Sequence, residues 1–153
     1  MRTLYDTFAR GLFFSWQSDA KPARNKIKEA LRLVTRQLGD ELEEADRPEI
    51  DSDTQGLHGS EDILATIFSK IESSPIFVAD VTPVAELGDK LIPNPNVMAE
   101  LGYALRNKGA NTKLFIYCAE EGIDEKRMPF DIQSRSLVGF RLSDEPSVIA
   151  REA

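Results

Sequence analysis

The stretch "NPNVMAELGYAL", residues 94–105, holds the residue best placed to do chemistry, Glu100. At 100° per residue Val97, Leu101, Ala104 and Leu105 share one face of a helix, an apolar stripe that must be buried. Asn96, Glu100, Tyr103 and Asn107 follow at i, i+4, i+7 and i+11, a second and largely polar stripe bordering the first. Glu100 therefore stands at the edge of the core, partly desolvated and held by a helix. A carboxylate fixed in that way suits the stabilisation of a cationic transition state. The competing account is an ordinary acidic residue near a helix N-terminus. Spacing alone permits a site without demanding one.

Other constellations are weaker. His58 is the only histidine and sits in a glycine-punctuated stretch, "TQGLHGS", so no Cys–His or Ser–His nucleophile has an evident partner. Cys118 is the only cysteine and lies inside an apolar run, where a small buried hydrophobe is the expected role. No cluster with zinc-ligand spacing exists, so no metal is expected. Neither GxGxxG after the first strand nor GxxxxGK[ST] occurs, which argues against a dinucleotide-binding dehydrogenase and a P-loop NTPase.

Those residues need elements to hold them. "GLFFSW" (11–16), "PIFVAD" (75–80), "KLFIYC" (113–118) and "LVGFRL" (137–142) read as buried strands, with "PEIDSD" (48–53) as a fifth, weaker one. Pro22 suits a first helical turn, and Ile27, Leu31, Val34, Leu38 and Leu42 then recur at helical spacing. Ser60 is placed to cap a second helix, whose stripe is Ile63, Ile67 and Ile71. Residues 81–95, with Gly88 and three prolines, read as a long loop before the Glu100 helix. Residues 119–134 read as irregular or partly helical, and "DEPSVIAREA" as the start of a terminal helix. Alternation of this kind predicts an α/β fold, flavodoxin-like, with a five-stranded parallel sheet in the order 2-1-3-4-5 and helices on both faces. Ligands of such folds sit at the carboxyl ends of the strands, near the switch in strand order. Segments 15–22, 51–60 and 80–100 converge there.

Composition narrows the class. The chain has 153 residues, 41% hydrophobic and 29% charged, which fits one globular domain over 1–153 with its core at about 11–142. The net charge of −7 disfavours nucleic-acid partners. No run approaches a membrane span, so no membrane partner is expected, and a single cysteine fits a reducing, cytoplasmic setting.

The order of the motifs resembles a known family. "LFFSWQSD" is similar to the opening strand and loop of TIR (Toll/interleukin-1 receptor) domains. "GLHGSEDILATIFSKIESSPIFVADVT" resembles their glycine loop, helix and central strand, and "NPNVMAELGYAL" their Glu-Leu helix. "AELGYAL" is also similar to the glutamate helix of nucleoside 2-deoxyribosyltransferases. Nearly the whole chain, 11–142, follows the bacterial TIR-like order.

This resemblance implies that Glu100 is the catalytic glutamate of an NAD glycohydrolase that releases nicotinamide, an assembly-activated bacterial defence or signalling effector. It implies that Ser15 to Asp19, including Trp16 and Gln17, line the nucleotide pocket. Gly59 and Ser60 fall in the loop that gates the pocket or mediates assembly. Where many TIR domains carry Ser-x-Trp-Cys, this chain has "NPNV". Either the Asn96 side chain replaces a hydroxyl there, or the substrate differs.

Nicotinamide leaves a pyridinium as a neutral molecule, so one fixed negative charge and correct orientation suffice, with NAD as substrate and no cofactor. Trp16 suits stacking on a base and equally suits packing at a strand end. Asp19 and Asp80 suit ribose hydroxyls, or turns and caps. Lys21 and Arg24, near a helix start, fit surface charges better than pyrophosphate ligands. The partners implied are NAD or a related nucleotide, further copies of the chain, and a sensor domain or protein in trans, since "REA" reads as a helix cut short. Two alternatives stand: a TIR-like module that only self-associates, and an enzyme like the nucleoside deoxyribosyltransferases.

Overall fold

The computed structural model of the chain describes residues 11–38, 42–44, 60–109, 112–120, 123–133 and 137–152. In chain order the elements are β1 (Leu12–Ser15), α1 (Lys21–Leu38), β2 (Leu42–Glu44), α2 (Ser60–Ser73), β3 (Ile76–Asp80), β4 (Pro83–Leu87), β5 (Lys90–Pro93), α3 (Pro95–Asn107), β6 (Lys113–Cys118), α4 (Phe130–Gln133), β7 (Leu137–Phe140) and α5 (Pro146–Glu152). A 3-10 turn at Glu125–Arg127 precedes α4.

Five strands form one parallel sheet in the order β2-β1-β3-β6-β7. With β4 and β5 set aside, this is the expected 2-1-3-4-5 order. The apolar runs are buried on both sides, which is why their sequences do not alternate. Register divides them between two cores. Phe13, Phe77, Ala79, Phe115 and Tyr117 face one way, against Ile67 and Ile71 of α2 and Val97, Leu101 and Ala104 of α3. Phe14, Val78, Ile116, Cys118 and Phe140 face the other, against Ala23, Ile27 and Leu31 of α1 and Ile149 of α5. Phe13 and Phe77 stack across neighbouring strands, centroids 6.0 Å apart.

Two expectations are corrected. Residues 81–95 are not a plain loop: β4 and β5 make an antiparallel hairpin in which Leu87 pairs with Lys90. Gly88 turns it with φ at +61°, a value glycine adopts without steric cost. Both strands are short and β4 is largely exposed, so they lack the apolar runs that announce a strand. The strand paired outside β1 is Leu42–Glu44, and α1 ends at Leu38, so Leu42 belongs to a strand and not to the helical stripe. The expected strand at 48–53 lies outside the described residues.

Candidate active site

β1 and β3 end side by side, Ser15 opposite Ala79, at the carboxyl edge of the sheet. Ser15 is the last residue of β1 and is wholly buried. It follows Phe13 onto the face covered by α2 and α3. There its hydroxyl donates to Glu100 Oε2. Glu100 is 2% exposed and is one of four buried residues of α3, with Val97, Leu101 and Ala104. The helix thus carries Glu100 inside the border where periodicity puts it, with a strand-end hydroxyl to receive it.

The rest of the polar stripe does not join Glu100. Asn96 is exposed, and its backbone N–H donates to Asn94 Oδ1 at 2.9 Å. Tyr103 stacks on Phe68 of α2 at 3.9 Å between centroids and donates its hydroxyl to Glu72. Asn107 is exposed, and its Nδ2 donates to the Tyr103 carbonyl at 3.1 Å. The residue that caps the helix is Asn94, which sequence reasoning passed over. Its Oδ1 accepts from Asn96 N at 2.9 Å and from Val97 N at 3.3 Å, and Pro95 follows it in the first turn. Asn before Pro at a helix start is a recognisable signal, so "NP" at 94–95 held the information. Asn94 Nδ2 also donates to Asp19 Oδ2 at 2.6 Å, so Asp19 is engaged by protein.

A second group of side chains gathers where β1 and β3 run out. Gln17 is wholly buried, and its Nε2 donates to the Thr82 carbonyl at 2.8 Å. Asp80 is wholly buried, and its Oδ1 accepts from Thr82 N at 3.1 Å. Thr82 Oγ1 accepts from Cys118 N at 3.0 Å, which makes Thr82 the hub of the group. Asp80 pairs with Ile116, so it faces the α1 side of the sheet, away from Glu100. Asp80 Oδ2 and Gln17 Oε1 are buried with no hydrogen-bond partner. Burial pushes the Asp80 pKa up from 3.8 to about 6, against the opposing pull of Thr82, Gln17 and the Arg24 charge. Trp16 is half-buried at the junction of both cores, with the Arg24 guanidinium 4.7 Å from its ring centroid. Lys21 is exposed at the start of α1. Ser60 opens α2, while Gly59 and His58 lie outside the described residues.

A groove of about 480 Å³ runs along the outer face of α1, lined by Asn25, Lys28, Glu29, Arg32, Leu33 and Arg36. It gathers side chains of one helix and none of the strand ends. It does not compete with the buried Ser15–Glu100 pair as a place for chemistry. Among the described residues no group of three or more His, Cys, Asp or Glu side chains is disposed to hold a metal ion, and no helix is long and apolar enough to cross a membrane.

No family model matches the chain, and no curated protein matches it. The arrangement defines an α/β protein with a parallel, flavodoxin-like sheet and a carboxylate at its carboxyl edge. Among solved structures the chain is similar to the Clostridium botulinum CMP N-glycosidase BcmB. The TM-score is 0.53 at 12% identity, over 92% of this chain and 96% of that one. At that identity the likeness establishes the fold.

Proposed function

We propose that this protein cleaves the N-glycosidic bond of a nucleotide, with Glu100 as the catalytic carboxylate. The observation that carries the reading is the buried Ser15–Glu100 pair at the carboxyl edge of a parallel sheet, the place where open α/β folds bind ligands. Breaking that bond leaves positive charge on the ribose, and a fixed carboxylate beside it lowers the barrier. The Ser15 hydroxyl donates to Glu100 Oε2 and so fixes the carboxylate at the strand edge. The fold of a CMP N-glycosidase supports the reaction class, as do both families that the sequence resembles.

NAD is the substrate that the TIR-like order of motifs supports. Its pyridinium leaves as neutral nicotinamide and needs no proton. On this reading the chain works as a homo-oligomeric effector. The fold shared with a CMP N-glycosidase favours a second substrate, a nucleoside monophosphate, whose neutral base leaves well only when protonated.

The test is release of free base from NAD, CMP and the other nucleoside monophosphates, at low and high protein concentration. A parallel arm offers a deoxynucleoside and a free acceptor base, to detect transfer. Glu100→Gln keeps size and most hydrogen bonding but removes the charge. It should lower kcat by about a hundredfold or more, with the fold intact. Base release from no substrate at any concentration would overturn the proposal in favour of the self-association module.

A further inference from the structure

α3 is stitched to the β1 strand-and-loop segment at two points. One is the Ser15–Glu100 hydrogen bond. The other is six residues earlier, at the start of the helix, where Asn94 Nδ2 donates to Asp19 Oδ2 at 2.6 Å. Asn94 uses both ends of its amide. Its oxygen takes two backbone N–H groups of the helix, and its nitrogen reaches the loop. It is 8% exposed, so water does not readily replace either contact.

We propose that Asp19 and Asn94 are positioning residues that fix the start of the Glu100 helix against the β1 loop and so set the Glu100 carboxylate relative to the substrate. The inference rests on Glu100 being the catalytic group. The distances and the donor pattern argue for it. A cap needs only an acceptor, which Asp, Ser or Thr would supply as well as Asn. Asp would gain further from the positive helix end. Asp, however, has no donor to offer a carboxylate, and a Ser or Thr hydroxyl must donate and accept at one short oxygen, whereas an amide accepts at one end and donates from the other. The bond to Asp19 is therefore what asks for asparagine. It is charge-assisted and short, the kind of hydrogen bond that fixes geometry. Without it the helix start is capped but no longer tied to the loop that carries Trp16 and Gln17. A shift of about 1 Å at a catalytic group can cost up to a hundredfold in rate.

The pair can be swapped, which separates positioning from capping. Asn94→Asp keeps the cap but sets two carboxylates face to face. Asn94→Asp with Asp19→Asn reverses donor and acceptor and restores the bond. Asp19→Ala removes the acceptor while leaving the cap untouched. Two readouts serve: base release from the substrate that the wild type cleaves, and emission of Trp16, the only tryptophan, which lies between Ser15 and Asp19.

Asn94→Asp and Asp19→Ala should each lower kcat by about tenfold or more, with KM little changed. They should move the Trp16 emission, while thermal midpoints stay near the wild type. The swapped pair should recover both kcat and emission. Single variants that leave kcat and Trp16 emission unaltered would overturn the proposal. So would rate losses that merely follow falling thermal midpoints, or a swapped pair that recovers nothing. A wild type that releases base from no substrate removes the functional reading, and the emission arm still decides whether the tie holds the loop.

Discussion

Asp80→Asn should make the protein more stable at neutral pH, by an amount that depends on pH. Asp80 is wholly buried and its Oδ2 has no hydrogen-bond partner, so the folded state disfavours the charged form. Its folded pKa is about 6 against 3.8 for the free group. The proton is bound more tightly in the folded state, so stability is highest when Asp80 is neutral. That contribution is fully present below about pH 4 and is lost as pH rises through about 6. Going from 3.8 to about 6 corresponds to about 3 kcal/mol. Asparagine has the same shape, keeps an acceptor for the Thr82 N–H and carries no charge.

The measurement is urea unfolding of both proteins at pH 4, 6 and 7.5, followed by Trp16 emission. Subtracting wild type from variant cancels His58 and every other titrating group. The difference should be near zero at pH 4 and rise to about 3 kcal/mol at pH 7.5, in favour of the variant. A difference that does not change with pH would refute the argument that burial holds this proton. Base release by the same variant, measured alongside, reports whether Asp80 also bears on activity.

Three further outcomes follow from the geometry. Ser15→Ala removes a hydrogen bond to a carboxylate, worth about 1.5–3 kcal/mol, so kcat should fall about tenfold to a hundredfold; an unchanged kcat would remove Ser15 from the site. Gly139→Ala would put a methyl 2.8 Å from Tyr117 Oη and 2.9 Å from Cζ, displacing the ring and its 2.6 Å hydrogen bond to Glu125. Thermal unfolding should report a loss of about 1–3 kcal/mol, and an unaltered midpoint would show that the ring moves freely. Cys118 is 4% exposed, and burial, with Glu120 beside it, pushes its thiol up to about 12. A thiol reagent at pH 8 should leave it unlabelled in the native protein and label it in urea; rapid native labelling would contradict the burial.

Much of the framework was legible in the chain because it depends on short-range patterns. Runs such as "LFFS", "IFVAD" and "KLFIYC" are apolar on both sides, which only a strand covered on two faces can bury, and helical stripes between them call for a parallel sheet. Val97, Leu101 and Ala104 formed the core face of α3 as their spacing requires, and Glu100 beside them was legible as a carboxylate at the core's edge. The hairpin at β4 and β5 was not, because both strands are short and β4 is largely exposed, so neither leaves a long apolar run; "LGDK" was its one local sign.

Which side chains meet is settled by long-range packing. Ser15 and Glu100 are 85 residues apart in sequence, and Asp19 and Asn94 are 75 apart. No periodicity links such pairs. They meet because β1 pairs with β3 in one register and α3 packs back over that edge. The same register turns Asp80 to the opposite face from Glu100, although both lie at the carboxyl edge. The raised pKa of Asp80 likewise needs the burial of its surroundings. Local sequence chooses elements through backbone and side-chain preferences over a few residues. The site arises from contacts that exist only after the sheet has closed the distance between its strands.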